Sequence, residues 1–185
     1  MEMKRDTEQN GETRGLVIVN TGDGKGKTTA ALGLMMRAWG REMKVGMVQF
    51  IKNEKRRTGE LEAAERIGIE WHGSGDGWTW NKRDLQSAED RALQGWEVAR
   101  ERIACSGYDV LILDEFTYPL HFGWLDVKEV INWLRENKPA ALHLVITGRY
   151  APSELIEYAD LVTEMREIKH PLSAQGIGAQ AGIEY

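Results

Sequence analysis

The chain has 185 residues, 42% of them hydrophobic, enough for one domain with a substantial core and too few for several. Its formal net charge of -5 argues against a nucleic-acid-binding face, while leaving room for a local basic pocket. The single cysteine, Cys105, excludes an internal disulfide and fits a reducing compartment; ending a helical run with no basic partner nearby in sequence, it reads as a buried structural residue rather than a nucleophile.

Residues 1–14, MEMKRDTEQNGETR, are polar throughout and have no apolar core for a signal peptide, so they read as a mobile arm before a domain covering 15–185. No later apolar stretch reaches the roughly 20 residues that span a bilayer, and a soluble cytoplasmic protein is expected. The apolar run Leu16-Val17-Ile18-Val19 then leads into Gly22-Asp23-Gly24-Lys25-Gly26-Lys27-Thr28-Thr29, which opens a helical run from Ala30 to Trp39. Strand, glycine loop and helix in that order form the context of a phosphate-binding loop. Alternate glycines let successive N–H groups turn toward phosphate oxygens, and the helix N-terminus adds the positive end of its dipole. Lys27 supplies a point cation, and the Thr28 hydroxyl is placed to ligate Mg²⁺. Thr21 stands where the general pattern has its first glycine, so the loop is tighter than usual. Asp23, acidic beside a polyphosphate, is expected to point away and brace the loop.

Gly40 offers a C-cap, and Val45 to Ile51 reads as a second buried strand, followed at its C-terminal end by Lys52-Asn53-Glu54-Lys55-Arg56-Arg57. That basic run is either a ligand edge or a solvated loop. A short helix over 60–67 and a short strand over 69–71 precede the glycine-rich segment 72–77, which ends in Trp78-Thr79-Trp80; loops seldom expose large apolar rings. Arg83 to Ala104 is helical, with Ala88, Ala92, Leu93, Trp96, Ala99 and Ile103 at helix spacing, and Trp96 is expected in the core. Val110 to Asp114-Glu115 is an apolar strand ending in two carboxylates, the sequence form of a Walker B element, able to hold Mg²⁺ directly or through water. Asp126 and Glu129 resemble a capping box that starts a helix ended near Pro139. Leu142 to Thr147 is a further buried strand with Gly148-Arg149 at its end, where an arginine can reach phosphate. A helix from Pro152 to Ala159 and a short strand over 161–163 complete the pattern, and Lys169 to Tyr185 reads as irregular.

Short apolar strands alternating with helices predict a three-layer α/β/α domain with a mostly parallel sheet, of the P-loop NTPase (RecA-like) kind. The four histidines, His72, His121, His143 and His170, lack ligand spacing, and His143 reads as a hydrogen-bonded group within a strand. On these motifs alone a kinase or NTPase, or a nucleotide-dependent switch module, stays open.

Six strings go further: TGDGKGKTTAA, VGMVQFIK, the GWTW loop, LDEFTY, VITGR and the tail IKHPLSAQGIGAQAGIEY. Their order and spacing over residues 15–185 resemble the ATP:corrinoid adenosyltransferases of the cobalamin pathway. The resemblance implies a homodimeric enzyme that transfers the 5′-deoxyadenosyl group of MgATP to the Co(I) of a reduced corrinoid and releases triphosphate, with a flavoprotein as the source of electrons. It places Gly22, Asp23, Gly24, Lys25, Gly26, Lys27, Thr28 and Thr29 on the triphosphate, Thr28, Glu115 and Asp114 at Mg²⁺, and Arg37 and Arg149 as nucleotide or dimer contacts. It sets Trp78 and Trp80 against the lower face of the corrin, where they keep an axial ligand off cobalt. The family commonly has Phe at the position of Trp78, a lysine near Gly178 and a longer N-terminal segment, so a more open corrinoid site is expected here.

Overall fold

The computed structural model describes residues 14–53, 58–75 and 82–184. Six strands, β1 (Val17–Thr21), β2 (Val45–Asn53), β3 (Glu70–Gly75), β4 (Val110–Asp114), β5 (His143–Thr147) and β6 (Leu161–Glu164), form one sheet in the order β3-β2-β4-β5-β1-β6. Every described pairing is parallel, so the expectation of a mostly parallel sheet is met and exceeded. Parallel neighbours need crossover connections, and helices supply them: α1 (Lys27–Trp39), α2 (Gly59–Arg66), α3 (Lys82–Ala104), α4 (Thr117–His121), α5 (Val127–Asn137) and α6 (Ser153–Tyr158), while α7 (Pro171–Gln175) follows β6.

The central strands β4 and β5 are apolar on both faces because both are covered. Along β4, Val110 and Ile112 join one core with Ala31, Met35 and Ala38 of α1 and Ala64 of α2. The intervening Leu111 and Leu113 join the other, with Trp96, Ala99 and Ile103 of α3 and Val130 and Leu134 of α5. That alternation is the period-2 geometry of a strand buried between two helical layers. Trp96 is in the core as expected, stacked 5.1 Å from Phe116 and edge-on to Trp133 at 5.4 Å. Leu93, by contrast, lies off the buried stripe and is exposed.

Local chemistry explains several boundaries. The Asp126 carboxylate accepts from the backbone N–H groups of Lys128 and Glu129 at 2.8 and 3.0 Å, capping α5 as the sequence pattern predicts. His143 Nδ1 accepts from Leu16 N–H at 3.2 Å, the structural role expected of it. Near its end β2 carries an irregularity: the register with β3 shifts between Gln49 and Asn53, and Ile51 takes a φ of 69°. The tail is not irregular throughout, as the sequence suggested. His170 Nδ1 accepts from Leu172 N–H at 3.1 Å, Pro171 occupies the first turn, and Gly176 closes α7 at a φ of 67°. Cys105 is exposed rather than buried, because α3 ends at Ala104 and Cys105 falls on the following turn. Residues 1–13, 54–57, 76–81 and 185 lie outside the described residues, and with them most of the expected arm, four of the six residues of the basic run, and Trp78 and Trp80. No helix among the described residues is long and apolar enough to cross a membrane.

Phe116 follows the strand-end carboxylates, is fully buried and touches Phe50 at 4.9 Å as well as Trp96, so it ties the ligand edge of the sheet to α3. Phe116→Ala is expected to cost about 3–5 kcal/mol through lost transfer energy and a residual cavity. Urea denaturation checks it: the midpoint should fall with the slope unchanged, and Phe116→Leu should recover most of the loss.

Candidate active site at the C-terminal edge of the sheet

The glycine loop, the end of β4 and the end of β5 meet at the edge of the sheet where the strands' C-termini emerge, around a cleft of about 530 Å³. From the loop and α1, residues 24–29 and Leu32 line it; from the facing wall come Glu115, Tyr118, Thr147, Gly148 and Arg149. Gly59 and Glu60 at the start of α2, and residues 182–184 of the tail, complete the rim.

The loop's shape rests on glycine for two reasons. Gly22 has a φ of 97°, and Gly26, the N-cap of α1, has one of 107°, both in the region that side chains avoid. Gly22 and Gly24 also lie against the backbone that follows β6. Gly24 N–H donates to Met165 O at 2.7 Å, and a Cβ on Gly22 or Gly24 would stand 2.4 Å from Met165 O or 2.7 Å from the Arg166 carbonyl carbon. No side chain caps α1, so its first-turn N–H groups are directed at whatever anion enters.

Lys27 folds back over the loop and donates to Gly22 O at 2.8 Å and Gly24 O at 2.6 Å. An ammonium has three donors, so this posture leaves one to direct at a ligand. Burial pushes its pKa below the usual lysine value, and the nearby Arg149 guanidinium lowers it further, while Glu115 and Asp23 pull the other way. A polyanion in the cleft would restore the favourable environment of the charged form.

Beneath the loop, Asp114 is fully buried and accepts three hydrogen bonds. Thr28 Oγ1 and Thr147 Oγ1 donate to Oδ1 at 2.9 and 2.6 Å, and Gln49 Nε2 donates to Oδ2 at 2.8 Å. Thr147 Oγ1 in turn accepts from Glu115 N–H at 3.0 Å. A threonine that gives its proton to a carboxylate keeps its oxygen lone pairs for a cation, so Thr28 fits a hard divalent ion. The two strand-end carboxylates therefore part company. Glu115, turned by a φ of 61°, reaches the cleft wall, whereas Asp114 does not line the cleft and acts on it through Thr28. Among the described residues no group of three or more His, Cys, Asp or Glu side chains could hold a metal alone, so a cation here would take most of its oxygens from a ligand and water.

The other expected residues divide as follows. Arg149 lines the cleft opposite Lys27. Gly22 supplies the loop's carbonyl to Lys27 without lining the cleft, and Asp23 is exposed and does not line the cleft. Arg37 is not brought to the cleft: ten residues along α1 from Lys27, it sits roughly 15 Å away by helical rise, beside an apolar pocket at the opposite edge of the sheet. Sequence reasoning missed Gln49, Tyr118, Thr147 and the tail. Tyr118 stands inside the LDEFTY string and Thr147 inside VITGR, so spacing from Asp114 was the available signal. The Tyr118 hydroxyl is pushed up to about 12 by burial and by the Glu115 carboxylate, which keeps it a neutral donor. The tail enters through an ion pair between Lys25 of the loop and Glu184, which no local pattern announces.

The chain is similar to known proteins of one family. The family model described as ATP:corrinoid adenosyltransferase BtuR/CobO/CobP matches residues 13–185. A corrinoid adenosyltransferase of Sinorhizobium sp is 43% identical over 177 residues, covering 94% of this chain and 82% of that protein. The corrinoid adenosyltransferase of Escherichia coli K12 is 40% identical, with 94% and 87% covered, and corrinoid adenosyltransferase CobA of Salmonella typhimurium LT2 is 38% identical over the same shares. A cleft built from a glycine loop, a buried aspartate holding a threonine and a facing arginine thus sits in a sequence similar to these enzymes over 94% of its length, and the chain belongs to the ATP:corrinoid adenosyltransferase family.

Proposed function

We propose that the cleft holds the triphosphate of ATP and that the enzyme transfers the 5′-deoxyadenosyl group from it to the cobalt of a reduced corrinoid. The observation that carries this reading is the convergence of Lys27, the uncapped start of α1 and the Asp114-held Thr28 on one cleft, in a chain whose relatives are corrinoid adenosyltransferases. The Co(I) electron pair forms a bond to C5′ while the C5′–O bond breaks, and triphosphate leaves with the displaced pair. Lys27, Arg149 and the first-turn N–H groups of α1 stabilise the charge that grows on the leaving group. Mg²⁺, when bound, would neutralise part of that charge, held by Thr28 and Glu115 with phosphate oxygens and water. Trp78 and Trp80 are assigned to exclusion of an axial ligand from the lower corrin face. Association as a homodimer, with Arg37 at a subunit contact, and a flavoprotein electron donor complete the reading.

The bond that breaks distinguishes this chemistry from phosphoryl transfer. Anaerobic incubation with MgATP and chemically reduced corrinoid should give a light-sensitive cobalt–carbon bond and one triphosphate for each adenosyl group moved. Chromatography showing ADP and orthophosphate formed at the rate of turnover, with no adenosylated corrinoid, would overturn the proposal.

Lys27→Ala should fold normally and lose about 1.5–3 kcal/mol of MgATP binding, roughly ten- to a hundredfold in affinity. Calorimetric titration of the folded variant measures it, and unchanged affinity together with unchanged turnover removes Lys27 from the site. Trp80→Ala and Trp78→Ala should instead spare ATP binding and impair reduction of the corrinoid. The visible spectrum of bound Co(II) corrinoid reports axial ligation, and a four-coordinate signal identical to the parent in both variants would refute ligand exclusion.

A further inference from the structure

A run of aromatic rings continues the wall of the cleft beyond Tyr118. Tyr118, His121 and Phe122 are spaced i, i+3, i+4, so they share one face of α4 and its end, and Tyr118 on that face lines the cleft. Tyr150, from the turn between β5 and α6, lies 4.5 Å from His121 in a stacked arrangement and 6.3 Å from Tyr118 edge-on. Phe122 is 6.2 Å from Tyr118, and Trp124 extends the array 5.0 Å beyond Phe122. Yet the array is not a buried core: Phe122 is 41% and Tyr150 50% exposed.

The turn that presents Tyr150 is held under strain. Tyr150 has a φ of 58°, a left-handed conformation that an aromatic residue adopts only when its surroundings impose it. They do so through Thr117, whose hydroxyl donates to Arg149 O at 2.6 Å. That contact needs glycine at 148, with a φ of 142°, because a Cβ there would lie 2.0 Å from Thr117 Oγ1. One fastening thus sends Arg149 into the cleft and Tyr150 onto His121.

Strand order gives the array its place. The glycine loop follows β1; the turn bearing Tyr150 follows β5, its immediate neighbour; α4 follows β4, the next strand over. One to two strand spacings, roughly 5–10 Å, separate the phosphate loop from the rings. This wall is within reach of the base of a nucleoside triphosphate anchored by its phosphates in the loop.

We propose that the Tyr118–His121–Tyr150 array is the seat of the nucleobase, whose flat face stacks on the exposed ring of Tyr150 while His121 backs that ring from the other side. The inference rests on reading the cleft as a triphosphate site. Stacking of this kind engages the π-face that any base offers, so it adds affinity and orients the nucleoside without a base-specific hydrogen-bond code. It also explains why the backbone at Tyr150 is kept strained: a relaxed turn would carry the ring off the wall.

The test compares MgATP with magnesium tripolyphosphate, which has the phosphates but no base, by calorimetric titration of the parent, Tyr150→Gly, Tyr150→Phe and His121→Ala. Glycine suits the φ of 58° and removes the ring without adding strain. Tyr150→Gly should weaken MgATP about tenfold and leave tripolyphosphate unchanged. His121→Ala should show a smaller loss in the same sense, and Tyr150→Phe should bind ATP like the parent. Equal weakening of both ligands, or of neither, overturns the base seat while leaving the triphosphate site in place. A parent protein that binds neither ligand overturns both readings together.

Discussion

One buried carboxylate holds the working edge of this molecule together. Asp114 sits at the end of β4 and receives hydrogen bonds from Thr28 of α1, Gln49 of β2 and Thr147 of β5, so a single side chain joins four elements that are remote in sequence. Burying a carboxylate is costly unless its oxygens are satisfied, and three donors at 2.6–2.9 Å provide that. Because each donor belongs to a different element, the satisfaction of Asp114 and the alignment of the cleft are one event. Thr28 cannot present its oxygen to the cleft in any other register, and Thr147 passes the constraint to the backbone of Glu115.

The same edge concentrates backbone strain. Glu115 and Tyr150 are both non-glycine residues at positive φ, on adjacent turns, with Gly148 between them in space at a φ of 142°. Conformations of this kind persist only where surrounding contacts over-determine them, and they gather at sites where a side chain must point in an unfavourable direction. Here they aim Glu115 and Arg149 into one cleft from the two strand ends beside the phosphate loop. The two packed cores on either side of the central strands carry that cost.

Much of this could be read from the chain. Hydrophobic runs announce five of the six strands, and the helix periods announce α1, α3 and α5, because a sheet buried on both faces and amphipathic crossovers leave strong local patterns; β3 was expected only over 69–71, and its glycine-rich residues 72–75 read as a loop. The five-residue helices α4 and α7 escaped, being too short to show a period, and α7 is set by a histidine cap rather than by propensity. At the site, the loop residues were legible because their chemistry is contiguous. Gln49 and Thr147 were not, because their roles depend on strand order, which no local pattern encodes. The division of labour between Asp114 and Glu115 has the same origin: adjacent carboxylates look equivalent in sequence, and only the φ of 61° at Glu115 turns one outward while its neighbour stays buried.

The close fit of Gly22 and Gly24 against Met165 and Arg166 has a consequence for how the chain acquires its shape during synthesis. The first strand made, β1, lies between β5 and β6, the last two, so the loop that follows it waits for more than a hundred residues before its buttress exists. A nascent chain emerging from the ribosome therefore carries its phosphate loop unformed, with both edges of β1 unpaired, until β5 and β6 have been made. Local helices can form early, but closing this sheet is a late, long-range step, the kind that slows folding and leaves strand edges open to misassociation meanwhile. The loop thus becomes a binding site only after the strands made long after it.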